Sequence, residues 1–593
     1  MNDIYSLFRQ QVLVCKDKIA IQNGNKTMSY NELQDSVSHI SVKLIEKGIC
    51  KQDIVAIYMK NSIETVVAML AVLNIGAVCL PIDIRSPEMR VMQIITHSNA
   101  KSLLYSEIPV KSLPADQQIF ITLENTFTHE TLSQHNCTIY GHDPAFCIYT
   151  SGSTGNPKGV MLSHSGIINH MEAKRTLLYI NESSILCQSF SIGFVATIWQ
   201  ILTPLTTGAK LVIYNEDILQ NAYTLFQRIE KDSVEVVSLI PQFLLAYLML
   251  IQGGMKKIEL KNLKYIILTG EKVDPEIVNM FYQLYAIQLI NAYGQSECSD
   301  DTLHYVIQRK TNYEEIPIGK PINNVWLYIL DEEMSRVQQG QKGELCIFGQ
   351  CLAIGYLNDT EMTQKKFVPN PFAQNQKIYK TGDFVKELDD GNLLYIGRVD
   401  NQVKIRGHRI ELEEIEAVIN QFKGISQSIV KVTVINESDK MLEAFYISDV
   451  DLNIVQIKDY LSQKLPMYMI PSKFTRIKEF IYTQNGKVDR NRLGKNILIT
   501  RNKKSKLLSD FSEIQRQAFE VIKSNLDEKF TIDLHCGTDL SSVGVDSITF
   551  IKIIVALENV FEIEFDVDML LFTAFPTIQS LIEYVESKKL EKI

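Results

Sequence analysis

A chain of 593 residues with 46% hydrophobic and 22% charged side chains is long enough for roughly three to five domains, each with its own core. Its net charge of −9 gives no electrostatic ground for a nucleic acid or an anionic membrane as partner. Ten cysteines stand without a CxxC or a Cys/His cluster at metal spacing, which disfavours a thiolate metal centre and points to a reducing, cytoplasmic setting.

In chain order, the opening "MNDIYSLFRQQ" lacks a basic segment leading into an apolar core, so no signal peptide is expected. "YNELQDSVSHISVKLIEKG" has helical periodicity. The most apolar run, "TVVAMLAVLNIGAVCLPID", is broken by Asn74, Gly76 and Pro81 and reads as a buried helix running into a strand, not a membrane span. Short apolar strands from about residue 30 to 380, "DIVAIYM", "KSLLYS", "AKLVIY", "VEVVSLI" and "LKYIILTG" among them, alternate with amphipathic segments. That alternation predicts an α/β fold with largely parallel sheets. Cys346 and Cys351 lie in a strand-like run and are expected in the core. Near Asp400, "GRVDNQVKIRGHRIELEEIEAVINQF" predicts a tight strand pair and a helix, opening a small α+β unit that closes at "NGKVDRNRL". The basic, aperiodic stretch up to residue 507 has the composition of a linker. Beyond it, "DFSEIQRQAFEVIKSNL", "SITFIKIIVALENVF" and "TIQSLIEYVESKKL" read as helices only. The expected units are therefore 1–399, 400–495, a linker over 496–507, and 508–593.

One loop stands out. "YTSGSTGNPKGVMLSH", Tyr149 to His164, offers unshielded backbone N–H groups, hydroxyls and a lysine, the donors a phosphate needs. It is not the Walker pattern, because Lys158 follows Pro157 and precedes Gly159. Taken alone, it also suits an ordinary surface loop.

Its companions decide between the two. "MSYNEL", "NIGAVCLPID", "YTSGSTGNPKG", "NAYGQSE", "GELCIFG", "YKTGDF", "GRVDNQVKIRGHRIELEEIE", "LPMYMIP" and "NGKVDR" follow one another in the order of the adenylation domains of nonribosomal peptide synthetases, which this chain resembles over almost its whole length. Those domains share a superfamily of acyl-adenylate-forming enzymes with acyl-CoA synthetases and luciferases. The terminal "GVDSITF" resembles a peptidyl carrier domain. The resemblance implies a large N-terminal subdomain with mixed and parallel sheets, a small α+β subdomain and an all-α four-helix carrier.

It also implies roles. Ser151, Gly152, Ser153, Thr154, Gly155 and Lys158 would hold the ATP phosphates, with Thr154 also contributing to catalysis. Asn291, Ala292 and Tyr293 would line the adenine, with Tyr293 stacking on it, and Glu297 would hold Mg²⁺. Asp383 resembles the ribose clamp, since one carboxylate can accept from both vicinal hydroxyls, and Arg398 lies beside the same nucleotide in the family. Lys487 is the expected catalytic lysine, bridging the substrate carboxylate and the α-phosphate, two anions that repel as they approach. Asp400 takes the hinge position; rotation about it would withdraw Lys487 and bring in Lys404 to Arg409 to line the thiol tunnel. Glu413 replaces the glycine usual before the final "EIE". Ser547, after Gly544, Val545 and Asp546, resembles the site of 4′-phosphopantetheine attachment, which implies a phosphopantetheinyl transferase as partner.

Substrate choice turns on "SFSIGFVATIWQIL". Family members that take α-amino acids usually carry an Asp there to pair with the ammonium; Val195 stands at that position, and no Asp or Glu occurs from Ser183 to Asn215. The other pocket positions by motif are Ala196, Trp199, Ser238, Ile267, Thr269, Ala292, Asp300 and Asp301. The adjacent carboxylates suggest an ammonium held elsewhere, as in β-alanine or another β- or ω-amino acid, although a polar helix start facing water gives the same residues. A hydroxy, keto or aryl acid and an unusual α-amino acid are the alternatives. The expected activity is ATP-dependent adenylation of a small acid and loading onto the chain's own carrier, as a loading or stand-alone module serving condensation or tailoring enzymes. An acyl-CoA ligase and a catalytically idle carrier scaffold are the competing classes.

Overall fold

The computed structural model describes residues 3–107, 109–123, 138–152, 157–309, 313–400, 402–405, 407–436, 439–481, 488, 490–493, 512–526, 538, 540, 545, 547–561, 563, 565, 575 and 577–591. Local signals set several elements. In "MSYNEL" the Ser29 side chain accepts from the Glu32 N–H while Glu32 reaches back to the Ser29 N–H, a capping box that starts the helix Tyr30–Glu46. The apolar run becomes the 12-residue helix Ile63–Asn74, in which Ile63 and every residue from Thr65 to Leu73 is buried, followed by the wholly buried strand Val78–Ile82. A helix apolar on every side has to lie inside, and this one belongs to the core between the two large sheets.

The first of those sheets has nine strands, ordered Lys320–Pro321, Asp300–Val306, Gln288–Gln295, Tyr265–Leu268, Val236–Leu239, Ile185–Gln188, Lys210–Ile213, Ile19–Asn23 and Lys26–Ser29. Its interior pairs are parallel and its edge pairs antiparallel. The second has seven strands, running from Gly355–Tyr356 through Lys158–Ser163, Pro144–Thr150, Val78–Ile82, Ile54–Tyr58 and Ser102–Tyr105 to Gln118–Phe120. An antiparallel five-stranded sheet contains the long strand Lys377–Glu387 paired with Leu393–Arg398. Cys346 and Cys351 are buried, as expected for core residues.

After Arg398 comes the strand pair Val403–Ile405 and His408–Ile410, then the helix Leu412–Ile419 packed on a three-stranded sheet, Gln427–Asn436, Asp439–Ile447 and Lys473–Arg476. Among the described residues the terminal segment gives the helices Glu513–Ser524, Ser547–Phe561 and Ile578–Glu591, around a separate core that includes Phe519, Phe550, Leu557 and Leu581. Among the described residues no helix is long and apolar enough to cross a membrane.

Candidate active site

In open α/β sheets, ligand sites form beyond the carboxyl ends of the parallel strands. Those ends carry Ser238, Ile267 and Thr269, and the neighbouring strand Gln288–Gln295 carries Asn291, Ala292 and Tyr293. Asn291 is anchored, its amide donating to the Pro317 carbonyl at 2.8 Å. The Tyr293 hydroxyl donates to Asp383 Oδ2 at 2.5 Å, and Arg398 Nη1 donates to Asp383 Oδ1 at 2.5 Å. The rest of the Arg398 fork grips Asp400, with Nε at 2.6 Å and Nη2 at 2.9 Å from its carboxylate oxygens. Burial opposes the Arg398 charge, but the Asp400 hydrogen bond and the Asp383 charge outweigh it and raise its pKa. The adenine and ribose residues expected from sequence are thus brought together.

Ser151 and Gly152 follow the strand Pro144–Thr150, and Lys158 opens the strand paired with it. Desolvation lowers the Lys158 pKa. Ser153, Thr154 and Gly155 lie outside the described residues, as does Lys487.

Glu297 sits in the short 3-10 turn Ser296–Cys298 and is fully buried. Arg409 Nη1 donates to its two carboxylate oxygens at 2.8 and 2.7 Å, and the Tyr356 hydroxyl donates at 2.7 Å. Burial alone would raise this carboxyl's pKa; the Arg409 charge and the Tyr356 hydroxyl outweigh it and hold it at about 2. Arg409 belongs to the Val403–Ile410 strand pair, whose other contacts point the same way. Lys404 Nζ lies 3.5 Å from the Gly294 carbonyl and 5.8 Å from the Tyr293 ring centre. The Gly407 N–H donates to Glu271 at 2.9 Å. Gly407 has φ +77°, and a Cβ there would come within 2.6 Å of the Ile240 side chain, so both backbone and space require glycine. His408 stacks on Tyr468 at 3.5 Å between ring centres.

The same junction engages the start of the loop expected to hold phosphate. The Ser151 hydroxyl donates to the Arg409 carbonyl at 2.7 Å, and the Gly152 N–H donates to Glu414 Oε2 at 3.0 Å. Glu414 Oε1 accepts from Arg90 Nη1 at 2.5 Å, and both side chains are buried. The segment expected to line a thiol tunnel therefore lies against residues expected to bind the nucleotide.

Of the expected pocket positions, the Ser238 hydroxyl lies 3.4 Å from the Ile267 carbonyl and Thr269 touches Asp301. Val195 immediately precedes the helix Ala196–Thr207, which buries Ala196 and Trp199. Asp300 and Asp301 begin the strand Asp300–Val306 and are 6% and 2% exposed, so the alternative of a helix start facing water is corrected: they are buried strand residues, opposite a register shift between Tyr293 and Gly294. Asp301 does not await a ligand. Its Oδ2 is 2.7 Å from Lys174 Nζ and its Oδ1 accepts from Thr269 Oγ1 at 2.9 Å. Despite desolvation, the Lys174 charge keeps the Asp301 pKa low, whereas desolvation and then the Asp301 charge raise that of Asp300. His170, Asp301 and His304 offer three ligand atoms within 4.8 Å of one another, a metal-like cluster, but the Lys174 ammonium already neutralises its carboxylate.

Ser547 is the first residue of the helix Ser547–Phe561. That helix leans on Pro241–Gln252, leaving a cleft of about 290 Å³ between Met249 and Leu250 on one side and Lys552 and Val555 on the other. Pro241–Gln252 starts one residue after Ile240, the residue packed on Gly407.

Arg90, His170, Lys174, His304, Arg409 and Glu414 complete these clusters although sequence reasoning assigned none of them an individual role. His170 and Lys174 are four apart on the helix His164–Leu177 and so share a face, a spacing that is visible in sequence. That the face is buried is not.

Residues 8–357 match the AMP-binding enzyme family, and residues 522–585 match the phosphopantetheine attachment site family. Gramicidin S synthase 1 of Brevibacillus brevis is 34% identical over 598 residues, covering 99% of this chain and 52% of that protein. Tyrocidine synthase 1 of Brevibacillus parabrevis is 32% identical, covering 99% and 53%. The chain thus spans about half the length of these relatives. Among solved structures, an artificially fused adenylation–PCP di-domain from Klebsiella oxytoca superposes with a TM-score of 0.71 at 26% identity, covering 80% of this chain and 94% of that one. A holo synthetase protein with adenylation and PCP domains, bound to a vinylsulfonamide inhibitor, gives 0.80 at 21% identity over 100% and 98%. At that identity the likeness speaks for the fold.

Proposed function

The chain belongs to the AMP-binding enzyme family and carries a phosphopantetheine attachment region behind it, and from that premise we propose that it adenylates a small carboxylic acid with ATP and transfers the acyl group to its own carrier arm. The observation that carries the reading is the meeting of Tyr293, Asp383, Glu297 and the Lys404–Arg409 segment at the carboxyl ends of the strands. Asp383 would hold the ribose and Tyr293 the adenine. Ser151 to Gly155 and Lys158 would cradle the phosphates, and Lys487 would screen the approach of carboxylate to α-phosphate.

A buried, ionised carboxylate suits Mg²⁺, which would neutralise phosphate charge; in the present arrangement Arg409 spans both Glu297 oxygens. Glu297 is free to take a metal once the hairpin withdraws. With the hairpin in place, Arg409 substitutes a fixed cation for it, and Glu414 and the Arg409 carbonyl occupy donors of the phosphate loop. The two half-reactions are therefore mutually exclusive at Glu297 and Gly152. This supports the present orientation as the thioester-forming one, with rotation about Asp400 restoring the adenylating one. The arm on Ser547 supplies the accepting thiol.

For the substrate, the absence of any acid from Ser183 to Asn215 together with buried carboxylates at Asp300 and Asp301 favours a β- or ω-amino acid such as β-alanine. Pyrophosphate exchange with β-alanine, γ-aminobutyrate, α-keto acids, benzoates and α-amino acids in parallel tests this. Strongest exchange with an α-keto acid or a benzoate would refute the substrate class and leave the adenylation reading intact.

A further inference from the structure

The pocket holds two adjacent buried carboxylates whose situations differ. Both oxygens of Asp301 are engaged, by Lys174 Nζ at 2.7 Å and Thr269 Oγ1 at 2.9 Å. Asp300 Oδ2 has no hydrogen-bond partner, although the residue is only 6% exposed. A buried carboxylate oxygen left unpaired is costly, so such an atom points to a missing donor. Asp300 and Ser299 both take positive φ, +94° and +59°, and Asp300 sits at a bulge where a Cβ on Gly294 would come within 2.0 Å of its carbonyl. Neither residue is a glycine; the fold imposes a disfavoured backbone that fixes where this side chain lies.

The neighbouring His170 also carries an unpaired acceptor. His170 Nδ1 lies 2.9 Å from the Ser299 carbonyl, which requires the proton on Nδ1, and 3.7 Å from Asp300 Oδ2. Its Nε2 is then a bare lone pair, and it too is buried without a partner. Burial, then the Lys174 charge, holds this imidazole neutral, its pKa pushed down to about 3. The charged groups around Asp300 are Asp301, Lys174 and Lys404; Lys174 is committed to Asp301, and Lys404 reaches the Gly294 carbonyl only with the hairpin in place. The unpaired Asp300 oxygen suits a cation with N–H donors, whose charge would draw the raised Asp300 pKa back down.

We propose that Asp300, and not Asp301, is the receptor for the substrate's ammonium group, with Lys174 acting as the built-in counter-ion that keeps Asp301 out of substrate recognition. This rests on the reading of an amine-bearing acid and assigns its amine to one carboxylate. Lys174 also sharpens selectivity: its fixed charge lets two carboxylates share a dry pocket while the site recruits one ammonium and not two. Diamino acids carrying a second cation should accordingly be poor substrates.

The test compares acid-dependent pyrophosphate exchange by the full chain with β-alanine and with propionate, the same skeleton without the amine. The wild type should prefer β-alanine, and Asp300→Asn should lower the ratio of the two kcat/KM values by about 100-fold or more, as expected for losing one partner of a buried charge pair. Asp301→Asn should instead depress both acids alike, because it strands Lys174. A ratio unmoved by Asp300→Asn overturns the assignment and leaves the substrate reading standing; a wild type that activates only amine-free acids overturns both. Should Asp300→Asn fail to fold, inhibition of the wild type decides. Ethylammonium should compete with β-alanine where ethanol does not, and equal inhibition by the two would refute the proposal.

Discussion

Glu414→Gln isolates the junction that holds the hairpin in the site. Glu414 is fully buried in the helix Leu412–Ile419, and Arg90 is 7% exposed in the helix Glu88–Ser98, so their 2.5 Å contact ties the segment after Asp400 to the large sheets. Glu414 Oε2 also accepts the Gly152 N–H. Glutamine keeps the shape and one acceptor but removes the charge, which leaves the Arg90 guanidinium buried without a counter-ion. Breaking a buried pair from one side costs about 3 to 5 kcal/mol. That cost falls on the docked orientation only, because rotation separates the two residues. Acyl transfer from preformed acyl-adenylate to the carrier, followed in a single turnover, should therefore slow by about 100-fold, while pyrophosphate exchange holds or rises. The double variant Arg90→Met/Glu414→Leu should recover part of the loss, since an apolar pair leaves no charge stranded. Equal losses in exchange and transfer, or transfer at the wild-type rate, would refute the reasoning.

Lys487→Ala should reduce acid-dependent exchange by at least about 100-fold, measured with saturating ATP and the preferred acid. Ser547→Ala should spare exchange and abolish covalent loading, read as loss of acid-stable radiolabel on the protein. Arg409→Ala should impair transfer more than exchange, because Glu297 would lose its partner in the docked state alone. Glu297 has a folded pKa of about 2 against an ordinary 4.5, so its share of docked-state stability is present above about pH 4.5 and drains as pH falls toward 2. Thermal unfolding followed from pH 7 down to pH 3 should show that component, and Glu297→Gln should remove it.

Much of the fold is written locally. The capping box at Ser29 and Glu32, the all-apolar helix before Val78 and the alternation of strand and helix follow from spacing and capping chemistry, which act over a few residues. Tyr293, Asp383 and Glu297 were legible because their motifs keep a fixed order along the chain. Lys174 was not: on a helix of mixed composition its face is decided by what packs against it, and only the folded sheet sets an aspartate 2.7 Å away. Arg90 was equally silent, and Arg409, expected only as part of a tunnel-lining segment, gave no sign of its partner, since each pairs with a carboxylate far off in sequence.

The sequence by itself determined which chemical groups are available: a donor-rich loop, an aromatic and two carboxylates expected at a nucleotide, a lysine, a serine expected to bear the arm, and a pocket stretch without the family's usual aspartate. Only the tertiary structure decided which of those charges are already spent. Asp301 is neutralised and Asp300 is not, and Glu297 is held by Arg409 rather than free. The physical reason is that the worth of a charge depends on its burial and on its nearest partners, and neither exists until distant segments meet.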